Sequence, residues 1–143
     1  APMSNPVTAV PAADPTVMIR HLEAKFAIET DCADVEAAMA ASTPGFVLVD
    51  VRGRKAFRTA HVPGAVNIPV LDLAEKRLAE YPADTLFVVY CAGPHCNGAD
   101  KGALRLARMG RPVKVMTGGM TGWADEGFPF ERADAVPAPS TLD

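Results

Sequence analysis

The sequence predicts an α/β domain, with a central parallel sheet of about five strands flanked by helices and a helical extension at its N-terminal side. Two runs, Phe46-Val47-Leu48-Val49 and Leu86-Phe87-Val88-Val89-Tyr90, are apolar without interruption. That is the composition of strands covered on both faces, the hallmark of a parallel sheet. Stretches with helical spacing of apolar residues alternate with these runs, and parallel neighbours need such crossovers. At 143 residues the chain has the length of one domain.

Residues 1–13 are rich in Pro and Ala without hydrophobic period and predict a flexible arm. A single domain then spans 14–131, with its core over 46–131. Asp14-Pro15 is an N-cap followed by proline at the first helical position. Met18, Leu22 and Phe26 form the inward stripe of the helix that follows, although residues 26–29 also suit the start of an edge strand. A second helix begins after Asp31, turns Val35, Ala38 and Met39 inward and ends near Ser42, before the turn Thr43-Pro44-Gly45. After the strand at 46–49 come a short helix at 54–59, the turn Val62-Pro63-Gly64-Ala65, a strand at 66–68 and a helix at 71–81. The strand at 86–90 leads into a helix at 98–109, with Ala99, Ala103, Leu106 and Ala107 on one face and Gly110 as its stop. A strand at 113–116, the turn Gly118-Gly119 and a closing helix carrying Trp123 complete the domain. Residues 132–143, with Pro137 and Pro139, read as a flexible tail.

The charge balance, 14 Lys and Arg against 17 Asp and Glu, lacks the basic excess of a nucleic-acid binder. No apolar run approaches the roughly 18–20 residues of a membrane span. Three cysteines are too few, and odd in number, for a secreted disulfide framework. Free thiols point to a reducing compartment and hence the cytoplasm. The first residues show no basic stretch followed by an apolar core, and a start at Ala1 leaves export of a processed form open.

In open α/β sheets ligands bind beyond the carboxyl ends of the strands. Cys91-Ala92-Gly93-Pro94-His95-Cys96-Asn97-Gly98 occupies such an end, between a buried strand and a helix. Backbone N–H groups of the loop and the positive end of the helix favour an anion there. A thiolate at Cys91 is therefore expected to have a lowered pKa and to act as a nucleophile, against the plainer reading of a buried, inert thiol. Cys96 stands five residues on. It is either a resolving thiol for an oxidised or persulfidated Cys91 or a small residue packed at the helix start. Cys32 is expected to be structural. Cys91, His95 and Cys96 are too close together for paired zinc ligands, so no metal is expected.

Three segments resemble a known family. Val47-Leu48-Val49-Asp50-Val51-Arg52 followed by His61-Val62-Pro63-Gly64-Ala65-Val66-Asn67-Ile68-Pro69 is similar to the first signature of the rhodanese homology domain. Val89-Tyr90-Cys91 resembles its active-site strand and loop. Gly118-Gly119-Met120-Thr121-Gly122-Trp123 with Gly127-Phe128-Pro129 resembles its second signature. The resemblance implies a sulfurtransferase whose loop cysteine, aligned with Cys91, takes a sulfane sulfur from thiosulfate or a low-molecular-weight persulfide. It holds the sulfur as a persulfide and passes it to cyanide, a thiol or a protein cysteine. N–H groups of Ala92, Gly93, His95, Cys96, Asn97 and Gly98 would cradle the charged sulfur, with no metal and no organic cofactor. Two alternatives accompany this reading: a thiol-redox protein using a Cys91–Cys96 disulfide, and a non-catalytic binding or regulatory module. Related phosphatases and arsenate reductases carry an arginine six residues after the cysteine. Here that position is Asn97, so the bidentate grip on an oxyanion is missing and phosphatase chemistry is not expected.

The remaining candidates read mainly as support. Asp50 and Arg52 at a strand end suit hydrogen bonding that fixes loops. His61 suits a loop brace, and Trp123 suits packing beneath the loops. Met120 fits the pocket mouth or the core equally. Lys101, Arg105, Arg108, Arg111 and Lys114 read as a solvated face, with Lys101 also placed to steer anions toward Cys91.

Overall fold

The computed structural model describes residues 5–133, so residues 1–4 of the expected arm and 134–143 of the expected tail lie outside it. Helix α1 (Pro15–Ile28) is capped by Asp14, whose carboxylate accepts from Thr16 N–H at 2.9 Å and Thr16 O–H at 2.7 Å. It leads directly into β1 (Glu29–Asp31) and α2 (Cys32–Met39). Then follow β2 (Val47–Asp50), α3 (Arg54–Thr59), β3 (Val66–Asn67), a 3₁₀ turn (Val70–Asp72) and α4 (Glu75–Leu78). The chain closes with β4 (Phe87–Tyr90), α5 (Gly98–Arg108), β5 (Val113–Thr117) and α6 (Gly119–Asp125).

All strand pairings are parallel, in the order β1-β5-β4-β2-β3. The fold is thus the α/β domain with a five-stranded parallel sheet that the apolar runs predict. Because side chains alternate along a strand, the continuous runs feed two cores. Val49, Phe87 and Val89 join Leu73, Leu78 and Leu106 on one side. Leu48, Val88 and Tyr90 join Cys32, Val35, Met116 and Trp123 on the other. Each fully buried aliphatic or aromatic side chain stabilises the fold by about 1.5–3 kcal/mol.

Five details differ from expectation. The two ends of the α1 stripe face solvent, Met18 55% and Phe26 63% exposed, and only Leu22 between them is half-buried. The chain turns into β1 only at Glu29, so the helix occupies residues 26–28 and the edge strand begins where the helix ends. Helix α2 stops at Met39, three residues before Ser42. Instead of a helix over 71–81, a 3₁₀ turn and the one-turn α4 are separated by Leu73 and Ala74 in extended conformation. Leu73 and Leu78 are five residues apart and would leave a continuous helix at widely different angles. The break lets both enter one core, at 1% and 0% exposure. On α5 the buried positions are Ala99, Gly102 and Leu106, while Ala107 is exposed. Gly102 is close enough to Val51 and Leu73 that a Cβ would lie 3.1 Å from Val51 Cγ1.

The basic run is not simply a solvated face. Arg111 donates to the carbonyls of Leu78, Tyr81 and Pro82, Arg105 to Leu73 O at 3.3 Å, and Lys114 to Phe26 O at 3.0 Å. These cations bind carbonyls at the end of α1 and in and around α4. No described helix is long and apolar enough to cross a membrane.

Candidate active site

The carboxyl ends of β4 and β5 and the start of β1 surround a cavity of about 350 Å³. Cys91, the first residue after β4, lines it together with Gly93, Pro94, Cys96, Ala99 and the β5 end from Val115 to Gly119. Glu29 and Asp100 complete the wall. A neighbouring, mainly apolar cavity of about 270 Å³ shares Glu29, Asp100 and Val115 with it. Among the described residues no group of three or more His, Cys, Asp or Glu is placed to hold a metal ion.

Cys91 is 4% exposed, and its Sγ donates to the Cys96 carbonyl at 3.3 Å. Burial pushes its thiol pKa up, outweighing the N–H groups of Ala99 and Gly93 that favour the thiolate. The lowered pKa expected from the strand-loop-helix context is therefore reversed at Cys91. The helix-start N–H falls to the other sulfur: Gly98 N–H donates to Cys96 Sγ at 3.4 Å. That bond, the neighbouring Cys91 thiol, the Ala92 N–H and the Lys101 charge hold the Cys96 thiol below its ordinary range. Lys101 thus acts on the site through Cys96, while its own side chain is exposed.

A glycine turn closes the loop from the opposite side. Met120 N–H donates to Cys91 O at 3.1 Å, and Thr121 N–H and O–H donate to Ala92 O at 3.0 and 3.2 Å. Gly119 makes this approach possible. Its φ is +54°, and a Cβ there would overlap the Cys91 carbonyl oxygen. Beneath the turn, buried Cys32 donates to Thr117 O at 3.5 Å and Gly119 O at 3.6 Å.

Behind the site, Asp50 is wholly buried and carries a dense network. Its carboxylate accepts from Arg52 N–H at 2.9 Å, from the Arg52 guanidinium at 2.7–3.2 Å and from Tyr90 O–H at 2.8 Å. Arg52 also donates to Ala60 O, and Asn67 donates to the carbonyls of Asp50 and Arg52. Burial opposes the Arg52 charge, yet the bonds and charge of Asp50 prevail and raise its pKa.

A profile described as Rhodanese-like domain matches residues 32–126. The chain belongs to the rhodanese-like domain family. Among curated relatives, the rhodanese-like chain is 43% identical over 90 residues to the HTH-type transcriptional regulator Rv0324 of Mycobacterium tuberculosis. It is 33% identical over 87 residues to the adenylyltransferase and sulfurtransferase UBA4 of Yarrowia lipolytica. These matches cover 62% and 59% of this chain but only 39% and 22% of the relatives, so it spans well under half the length of either. The crystal structure of the BH2092 protein from Bacillus halodurans superposes with a TM-score of 0.80 at 33% identity, over 84% of this chain and 88% of that one.

In the rhodanese-like chain, Cys91, Gly93 and Cys96 meet in the cavity, whereas Ala92 lies behind it, bonded to Thr121. The Cys96 N–H is engaged by Gly93 O at 3.0 Å. His95 and Asn97 are exposed at the loop surface and do not line the cavity. Gly98 meets both sulfurs: a Cβ there would sit 3.4 Å from Cys96 Sγ and 3.8 Å from Cys91 Sγ. Asp50 and Arg52 stand behind the strand ends. His61 is buried, stacked on Phe57 at 3.7 Å, and its Nδ1 is hydrogen-bonded to Phe57 O at 2.8 Å. Trp123 donates to Pro129 O at 2.9 Å from within the second core, and Met120 packs against that core outside the cavity. Sequence reasoning missed Glu29, Ala99, Asp100 and the role of Tyr90. Ala99 and Asp100 open the helix that follows the loop, and that position was their only signal. Glu29 belongs to the edge strand β1, distant in sequence but paired with β5 beside the cavity, which no local pattern reports.

Proposed function

We propose that the chain is a sulfurtransferase that carries a sulfane sulfur on Cys91. The observation that carries this reading is the Cys91 thiol itself, seated in a cavity at a strand end within a rhodanese-like domain. Similarity to a protein named as a sulfurtransferase is consistent with it. The thiolate attacks the sulfane sulfur of thiosulfate or a low-molecular-weight persulfide. The donor's S–S bond breaks, sulfite or a thiol leaves, and Cys91 holds the sulfur as a persulfide. An acceptor thiolate, small or on a protein, then attacks the outer sulfur and Cys91 leaves as thiolate. Gly93 and Ala99 N–H groups offset the charge on sulfur during both steps. No cofactor is needed for this exchange.

The test is thiocyanate formation from thiosulfate or glutathione persulfide with cyanide as acceptor. The wild type is expected to turn over and Cys96→Ser to keep at least part of the rate. Sulfur transfer that survives Cys91→Ser would sink the assignment. A second reading, a regulatory module that binds rather than transfers sulfur, is favoured by the similarity to a protein named as a transcriptional regulator. It predicts no turnover by the wild type with either donor.

A further inference from the structure

Two thiols share the Cys91 cavity, and the sulfur-carrier reading assigns work to one. Cys91 and Cys96 both line the cavity, and the Cys91 S–H faces Cys96. Gly98, without a side chain, keeps the space beside both sulfurs open: the nearest atoms to a Cβ there would be Cys91 Cβ, Cys96 Sγ and Cys91 Sγ at 3.4, 3.4 and 3.8 Å. Cys96 is the more exposed of the two, sits on an N–H of the α5 start and feels the Lys101 charge. Of the two, Cys96 therefore ionises the more readily, while Cys91 holds its proton more tightly.

We propose that Cys96 discharges a sulfur left on Cys91: its thiolate attacks the inner sulfur of the Cys91 persulfide and sulfide leaves. The proposal rests on the sulfur-carrier reading above. A bond forms between the Cys96 and Cys91 sulfurs, and the bond from Cys91 Sγ to the outer sulfur breaks. The electron pair departs with the outer sulfur, which takes one proton from solvent while on the persulfide and leaves as hydrosulfide. The two cysteine sulfurs end as a disulfide, and the sulfane sulfur is reduced to sulfide. A dithiol reductant restores both thiols and is itself oxidised to a disulfide. When an acceptor thiol occupies the cavity it competes for the outer sulfur, so transfer wins with acceptor present and discharge wins without it. Hydrosulfide is a good leaving group beside a cysteine thiolate, which favours attack at the inner sulfur.

The experiment loads wild type, Cys96→Ser, Cys96→Ala and Cys91→Ser with thiosulfate or glutathione persulfide in separate arms. Donor is removed by gel filtration, and intact mass and released sulfide are followed without acceptor. The wild type is expected to release one sulfide per chain and to finish two hydrogens lighter, with the disulfide mapped between Cys91 and Cys96. Cys96→Ser and Cys96→Ala are expected to keep the added sulfur at least about tenfold longer, a barrier difference of about 1.4 kcal/mol, and to form no disulfide. A wild type that holds its sulfur as long as the two Cys96 variants, with no disulfide, overturns the discharge step while the carrier reading stands. If folded Cys96→Ser and Cys96→Ala take up no sulfur from either donor, the carrier reading falls and the discharge step with it.

Discussion

Tyr90 donates its hydroxyl to Asp50 Oδ2 at 2.8 Å, joining the carboxyl ends of two central strands that are already paired at these residues. The same hydroxyl accepts from Val62 N–H at 3.0 Å, so one phenol links β2, β4 and the turn before β3. Burial and the Asp50 charge raise the Tyr90 pKa, which keeps the hydroxyl a donor throughout the accessible pH range. Cys91 is the next residue. Its backbone therefore starts from a strand end fixed on one side by this network and on the other by the glycine turn.

Tyr90→Phe is expected to lower stability by about 1–3 kcal/mol, because it leaves the Val62 N–H without an acceptor and Asp50 one donor short in a buried setting. Urea unfolding measures it. Sulfur transfer should persist below the lowered melting temperature, since the phenol touches neither sulfur. An unchanged unfolding midpoint would show that water replaces the hydroxyl without loss.

The two loop thiols should react in a set order. Cys96 is partly exposed and its thiol is held low, whereas Cys91 is buried and its thiol is pushed up. Iodoacetamide at neutral pH is expected to label Cys96 first, with Cys91 following more slowly and gaining on it as pH rises. Mass spectrometry of the peptide carrying both residues reads the order. Labelling of Cys91 ahead of Cys96 would contradict the assignment of the Gly98 N–H to Cys96.

The continuous apolar runs identified β2 and β4 because a strand covered on both faces needs no polar alternation, and both strands lie inside the sheet. The position of Cys91 followed from the same logic, since it ends one of those runs. The direction in which the Cys91 thiol is shifted did not follow. Loop N–H donors are legible as a strand-loop-helix pattern, but which sulfur meets which N–H depends on loop curvature and burial, and both are tertiary. The α1 stripe misled for a similar reason. Spacing reports that Met18, Leu22 and Phe26 share a face, not whether another element packs against it. The Leu73–Leu78 break was hidden because helical propensity over 71–81 is adequate locally and yields only to the demand of the core.

Gly119→Ala is expected to abolish the site. The alanine would hold a positive φ that costs of order 1–3 kcal/mol, and its methyl would meet the Cys91 carbonyl, which cannot move without breaking the Met120 bond. Loss of sulfur transfer together with a lowered melting temperature is the expected outcome. A variant with wild-type transfer would mean that the turn relaxes away from the loop at no cost.

Cys32 offers a test of the floor beneath that turn. Burial first, then the charges of Asp31 and Glu126, push its thiol from 9.0 up to about 11. A thiol whose folded pKa is raised supports the fold while it stays protonated in both states. That contribution is whole below 9.0, the unfolded value, and is lost as pH rises toward 11, because only the unfolded chain gains by ionising in that window. Cys32→Ala loses the bonds to Thr117 O and Gly119 O and is less stable at neutral pH. Its deficit relative to wild type should then shrink between pH 9 and 11. Titrations of the other groups are common to both proteins and cancel in the difference. Denaturant unfolding of the pair at neutral pH and across that window measures it. A gap that stays constant with pH would mean that the Cys32 thiol ionises as readily in the folded chain as in the unfolded one, and that water reaches beneath the turn on which the Cys91 carbonyl rests.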